Sequence, residues 1–385
     1  MHIAAAATAS FVPPPPRACR VAVWLTLALA LAAPARLSAQ TFEAPPQQDQ
    51  DQDQDQDQDP APAALSSLVV RAFGSVHWGR TDEPAKANAF SLGQLDFFVT
   101  STLSDRFSVL TEIVLEGSIN TQVITDLERL QLTYRHNDYL IVSAGRYHTG
   151  IGFYNTAFHH GSFFETPIGR PRVFAFEDEG GVLPVHEVGV TVRGLVPKSK
   201  SSLNYLVEVG NGRRWDEDYG ADPAAQHDPN PEKSTNVALS YRPDRWRGLE
   251  AGASFYRDTI TDASLQEVAH RIFATYATYR TASVEVLAEW LVLHHRAGGT
   301  GHRNDGGYVQ ASKAWGNWRP YYRYDRLDVD AATPVIGATE SSAAHVVGLR
   351  VDPSEWVGLK AQYERARRGA RHDVNGLGVQ LVFVF

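Results

Sequence analysis

The side chains whose types and spacing could do chemistry fall into two groups. Between His148 and Val185, the acids Glu165, Glu177, Asp178 and Glu179 accompany Arg170 and Arg172, with Phe153, Tyr154, Phe158, Phe163, Phe164, Phe174 and Phe176 interspersed. The second group is spread along the chain: Glu112, Glu208, Glu250, Glu285 and Glu289, with Arg129, Arg135, Arg193, Arg242, Arg271, Arg323 and Arg350. No G-x-S-x-G elbow, Walker loop or H-E-x-x-H accompanies them, and Gly150-Ile151-Gly152 lacks the third glycine of a dinucleotide fingerprint. The chemistry expected is therefore electrostatic, with no catalytic residue, no enzyme activity and no cofactor. Carboxylates opposed to guanidinium groups across a narrow, low-dielectric passage create a transverse field, because charges there are screened less than on an open surface. Small polar solutes align in such a field and pass. The same pairs could equally do no more than neutralise a polar interior.

The histidines suggest different chemistry. His159-His160 and His294-His295 are adjacent pairs, and His148 and His186 bracket the aromatic-rich segment. With Glu165 they could ligate a metal. Adjacent residues on a strand point to opposite faces, however, and no ligand spacing recurs, so the expectation is solvated loop histidines and no metal site.

Composition narrows the partners. The 385 residues hold 44 acids and 36 bases, a formal charge of −8, which does not suit a nucleic-acid partner. The longest apolar run, Val21 to Ala33, interrupted only by Thr26, is too short for a spanning helix, which needs about 20 residues. Arg17 and Arg20 before that run, and Leu37-Ser38-Ala39 after it, give residues 1–39 the form of a secretory signal peptide cleaved before Gln40. Cys19 and Met1 are the sole cysteine and methionine, so a chain processed there would have no disulfide or thiolate site. Residues 40–67 contain a Gln/Asp alternation, Gln48 to Asp59, between prolines. That segment is expected to be a disordered, self-repelling acidic spacer on the periplasmic side.

From residue 68 to 385 the hydrophobic period is two. About sixteen segments of roughly 9 to 13 residues alternate apolar and polar positions. Examples are Phe107, Val109, Ile113 and Leu115; Leu130, Leu132 and Tyr134; Val188, Val190 and Val192; and Leu203, Tyr205, Val207 and Val209. Between the third set lie Glu187, Gly189, Thr191 and Arg193. Within Val284 to Val292 the intervening residues are Glu285, Leu287, Glu289 and Leu291. Connection lengths also alternate. Seven short turns, such as Ser104-Asp105 and Gly316-Asn317, interleave with eight longer stretches, among them 148–185, 211–233, 296–305 and 329–341. Sixteen strands need fifteen connections, so both termini fall at the short-turn end. This pattern predicts an all-β fold, a transmembrane antiparallel barrel with short periplasmic turns and long external loops. Closure is required because hydrocarbon offers no partner for edge N–H and C=O groups. Trp78, Tyr134, Tyr139, Tyr147, Tyr241, Tyr256, Tyr279, Trp315 and Trp318 lie near segment ends and are expected to form two interfacial girdles.

The chain ends Leu377, Val379, Leu381, Phe383, Phe385 on one face. With the leader, the spacer and the sixteen-segment count, this terminus resembles Gram-negative outer-membrane porins, the phosphate-selective O and P branch being one kind it could match. Only six lysines occur in the chain, so the lysine cluster of a phosphate-selective pore is not visible. The resemblance implies that Leu381, Phe383 and Phe385 form the insertion signal read by the barrel-insertion machinery. It also implies an outer-membrane location, contact with outer-membrane lipid, and a homotrimer. In such porins the third external loop folds into the barrel, which here makes 148–185 the constriction and the scattered charges the pore wall. Residues 60–385 carry 37 acids and 33 bases, so the sign of any selectivity is not legible. A passive channel for small hydrophilic solutes or ions is the leading reading. An adhesin or receptor barrel with a blocked lumen is the alternative, followed by an outer-membrane hydrolase.

Overall fold

The computed structural model describes residues 67–82, 88–117, 123–158, 161–176, 180–197, 202–216, 220–222, 231–261, 266–336, 339–369 and 373–385. The expected signal peptide and Gln/Asp spacer, with His159, His160, Glu177, Asp178 and Glu179, lie outside the described residues.

Among the described residues, eighteen strands follow one another. They are β1 Ser67–Thr81, β2 Ala89–Thr102, β3 Phe107–Gly117, β4 Val123–Asn137, β5 Leu140–His148, β6 His186–Leu195, β7 Ser202–Gly210, β8 Arg214–Asp216, β9 Gly220–Asp222, β10 Ser234–Arg242, β11 Leu249–Thr261, β12 Glu267–Arg280, β13 Val284–Ala297, β14 Thr300–Lys313, β15 Trp318–Asp328, β16 Ser342–Ser354, β17 Val357–Arg368 and β18 Val374–Val384. All but β8 and β9, which pair with each other, form one closed antiparallel barrel of sixteen strands. Neighbours in sequence are neighbours in the ring, and β18 returns to β1 in the register Phe73↔Val384 to Thr81↔Gly376. The ladder runs to the last residue: Ala72 and Phe385 exchange N–H···O bonds of 2.9 Å in both directions. Phe383 lies over Gly74, where any Cβ would meet its ring at 2.6 Å. Leu381 and Phe385 are exposed. Closure leaves no barrel edge unpaired, the condition that a hydrocarbon environment sets.

The alternation of the sequence is read out as two faces. Val190, Val209, Val237, Phe255, Phe273, Trp290, Val309, Val347 and Leu381 are exposed on the outside, while the residues between them are largely buried against the interior. At the short-turn end, exposed Phe107, Tyr139, Tyr241, Trp246, Tyr279, Trp315, Trp318 and Trp356 form one aromatic belt. Tyr147 and Tyr256 do not belong to it. Both are buried, and their hydroxyls donate to the Glu187 carboxylate at 3.1 and 2.7 Å. Strand parity turns them inward, which proximity to a segment end did not reveal.

The short connections stand near their expected positions, but 296–305 is not a loop. β13 and β14 continue to Ala297 and Thr300 and are joined by Gly298-Gly299, at φ +55° and +88°. Two positive φ angles in a two-residue link are what a hairpin with right-handed strand twist demands, and glycine supplies them without strain.

Candidate functional site

The connection between β5 and β6, residues 149–185, enters the barrel. Its aromatic and aliphatic side chains pack on the inner face of the wall opposite its roots. Ile151, Phe153, Tyr154, Phe158, Val173, Phe174, Val182, Leu183 and Val185 are buried in one cluster with Tyr256, Ile272, Leu287, Leu291, Leu293, Tyr308 and Leu327 of β11 to β15. Leu287 and Leu291 thus face inward as strand parity requires, yet touch protein and not water.

Most of this segment is irregular. Among its described residues only the short helix α1 (Tyr154–Ala157) and a 3-10 turn (Arg172–Phe174) are helical, so the other backbone polar groups need other partners. The wall supplies them. Glu289 accepts from the N–H groups of Phe153 and Tyr154 at 2.6 and 2.8 Å and from the Tyr308 hydroxyl at 2.7 Å. Glu208 accepts from the Gly150 N–H and the Asn236 amide, both at 2.8 Å. Glu285 accepts from the Thr166 hydroxyl at 3.0 Å. Arg323 donates to the Gly169 carbonyl at 2.7 Å and to the Asp325 carboxylate. Arg350 donates to the carbonyls of Phe163 and Glu165 at 2.6 and 2.9 Å and to Asp352. Lys360, fully buried, donates to the carbonyls of Ser162 and Pro167 at 2.5 and 3.1 Å, and Gln362 bonds both polar groups of the Ile168 backbone. The Gly152 backbone, at φ +74°, passes so close to Glu289 that a Cβ would lie 2.4 Å from its carboxylate.

Within the segment, Arg170 is the brace. It donates to the carbonyls of Phe174 and Phe158 at 2.6 and 3.1 Å, and its guanidinium lies over the rings of Phe176 and Tyr154 at 4.2 and 5.2 Å. The Tyr154 hydroxyl donates to Glu165 at 3.0 Å. Burial pushes the Tyr154 phenol well above its ordinary range, with the Glu165 charge adding to the shift, so it remains a donor.

On its other side the segment leaves a cavity of about 440 Å³ against β1, β2 and β15 to β18. Glu165, Arg170 and Arg172 line it from the segment, and His77, Gln94, Arg323, Asp325, Glu364, Arg368 and Gln380 from the wall. Four arginines and three carboxylates thus border the same space. The structure brings Glu165, Arg170, Arg172 and Arg323 of the expected set together there. His77, Asp325, Glu364 and Arg368 were not expected. The arginines and acids among them were visible as polar positions of alternating segments, but nothing local says which strands face the gap.

The remaining wall residues are placed elsewhere. Glu112 and Arg129 form an inward ion pair at 2.5 Å. Arg242 pairs with Glu250 at 2.9 Å, Arg135 pairs with Asp138 beside the β4–β5 turn, and Arg193 is exposed near that same end. Arg271 does not line the interior. It registers with Arg257 of β11 and His294 of β13, all exposed on the outer face, while its neighbours His270 and Ile272 point inward and are buried. A group of basic residues near one end of the outer face breaks the simple rule that polar means inward.

The histidines are likewise not solvated as a class. His148, His186, His270 and His295 are buried, and of the adjacent pair 294–295 only His294 is exposed, as strand alternation requires. Among the described residues, Glu128, His148 and His186 are brought together, each offering a ligand atom within 4.8 Å of the others.

No family model matches the chain, and no curated protein matches it by sequence. Solved structures do. An anion-selective porin from Comamonas acidovorans aligns with a TM-score of 0.61 at 12% identity, covering 83% of this chain and all of that one. OmpF of Salmonella typhi, solved with daunomycin, aligns at 0.61 and 12% identity over 83% of this chain and 98% of that one. The trimer form of OmpT from Vibrio cholerae aligns at 0.55 and 11% over 84% and 100%. The fold is therefore that of the sixteen-stranded outer-membrane porins.

Proposed function

We propose that this protein is an outer-membrane channel through which small hydrophilic solutes or ions diffuse passively. The observation that carries the reading is the polar cavity between the inserted segment and the β1, β2 and β15 to β18 wall of a closed barrel. Opposed guanidinium and carboxylate groups there supply a local field across the space. Anion preference is a property of the Comamonas porin by its description. Here the mixed lining of arginines and acids argues for a weak preference, and for phosphate not being a specific substrate.

The long-connection end faces outward in this reading. Arg257, Arg271, His294 and Arg303 stand in one rung across β11 to β14 on the outer face, close to that end. The directly opposed guanidinium groups of Arg257 and Arg271 repel, and anionic lipid headgroups of the outer leaflet would relieve that repulsion, as Asp305 does for Arg303. A homotrimer, as OmpT forms in one of its structures, and recognition of Leu381, Phe383 and Phe385 by the insertion machinery belong to the same proposal.

Reconstitution tests it. The refolded chain in planar bilayers is expected to give stepwise, ohmic conductance, and in liposomes to admit small sugars faster than large ones. A barrel that inserts but passes no current would instead favour the binding-barrel alternative.

A further inference from the structure

We propose that Glu128, His148 and His186 form a binding site for a divalent transition-metal ion that fastens together the two roots of the inserted segment. The site follows from topology. His148 is the last residue of β5 and His186 the first of β6, and they are the terminal pair of that ladder, with rings 5.3 Å apart. The Thr149 N–H donates to the Val185 carbonyl at 3.0 Å, so the segment departs and returns side by side at this point. Glu128 comes from β4, the next strand, where the register against β3 slips between Glu112 and Ile113. The slip leaves Glu128 as an extra residue beside Arg129 and frees its carboxylate from the regular alternation. It bonds His186 Nε2.

Two imidazoles and one carboxylate, all at least nine-tenths buried, are the donor set of zinc and its first-row neighbours, not of calcium or magnesium, which take oxygen ligands. Metal–ligand bonds of about 2.0–2.2 Å place ligand atoms roughly 3–3.5 Å apart. The three donors lie within 4.8 Å of one another, so the widest gap exceeds that spacing by less than about 2 Å. The Glu112 carboxylate, held by Arg129, lies 3.6 Å from His148 Nε2 and places a further negative charge beside the site. The Glu128–His186 hydrogen bond must open on binding.

The inference does not rest on channel activity, and its test needs no conductance. The refolded full barrel in detergent is titrated with Co²⁺ and Zn²⁺, following the cobalt d–d absorption and the heat by calorimetry in two buffers of different ionisation enthalpy. The expected result is one site per chain, a cobalt spectrum of low coordination number, and binding weakened at least tenfold in His186→Ala and in Glu128→Gln. His294→Ala, on the outer face, is expected to bind as wild type. Heat-modifiable migration on gels establishes that each variant is a folded barrel. Equal binding by wild type and the His148→Ala/His186→Ala double variant, or no binding by wild type at 1 mM ion, would overturn the proposal.

Discussion

The two halves of the inner wall solve different problems with the same strand geometry. From β11 to β15 the inward positions carry Tyr256, Ile272, Leu287, Leu291, Leu293, Tyr308 and Leu327, and the inserted segment packs on them as on the core of a soluble protein. From β15 through β18 to β1 and β2 the positions bordering the cavity include His77, Gln94, Arg323, Asp325, Glu364, Arg368 and Gln380. The difference teaches that the interior of this barrel is part core and part passage. The inserted segment decides where the boundary runs, because its apolar side must be buried and its backbone must be hydrogen-bonded. Arg323, Arg350, Lys360 and Gln362 show the junction. They belong to the polar half, yet each spends hydrogen bonds on the segment's carbonyls.

Breaking the apolar half should have the largest effect. Leu287→Ala with Leu291→Ala is expected to cost about 2–5 kcal/mol for each truncation in local docking stability. The barrel would stay closed while the segment loosens, so limited proteolysis should cut within 149–185 of an otherwise heat-modifiable barrel. Conductance should become larger and noisier. Cleavage elsewhere first, or unchanged protection, would show that the cluster is not what holds the segment.

Removing a polar anchor should be milder. Glu289→Gln keeps the volume of the side chain but cannot accept from both the Phe153 and Tyr154 N–H groups on separate oxygens. A loss of about 1–3 kcal/mol, for a buried donor left unsatisfied, is expected in the same protease assay. Glu289→Leu should be worse still, since it removes every acceptor.

On the polar half the order of effects reverses, with transport altered and stability nearly untouched. Arg368→Gln removes one of the cations bordering the cavity, so the reversal potential in a salt gradient should move toward cation preference. The same substitution at Arg271, on the outer face, should leave it unmoved. If both variants shift equally, or neither does, the cavity is not the narrowest part of the path.

The smallest expected effect is at the seam that closes the ring. Asp82 accepts from the Asn375 N–H and side-chain amide, both at 2.8 Å, and these bonds hold its carboxyl below the ordinary carboxylate range. A depressed folded pKa means that this contribution is present above the unfolded value and is lost as pH falls through the folded one. Asp82→Asn should therefore flatten a slight acid-induced fraying of β1 against β18, visible as amide exchange in that pair and nowhere else.

Much of this was legible before folding. Val188, Val190 and Val192 against Glu187, Thr191 and Arg193 already separate outside from inside, because in a strand the side-chain period is two whatever the surroundings. Leu287 and Leu291 sat on the wet face of the pattern, and that anomaly marked the docking surface, though not its occupant. Arg271 was misread for the converse reason. Parity gives a face relative to the neighbours on the same strand, and a basic outward residue near a strand end looks like an inward one until the register is known. Gly298-Gly299 concealed a tight hairpin because the polar residues around it read as loop.

By itself the sequence determined the number of barrel strands, their antiparallel order, their two faces and the long connection between β5 and β6, all consequences of local periodicity and turn chemistry, though not the separate β8–β9 pair. Only the tertiary structure decided which wall that connection would dry and which it would leave open. Only it brought Glu128, His148 and His186 into one place. Those outcomes depend on register between strands and on contacts 100 and more residues apart, such as Phe153 with Glu289, and no local pattern encodes them.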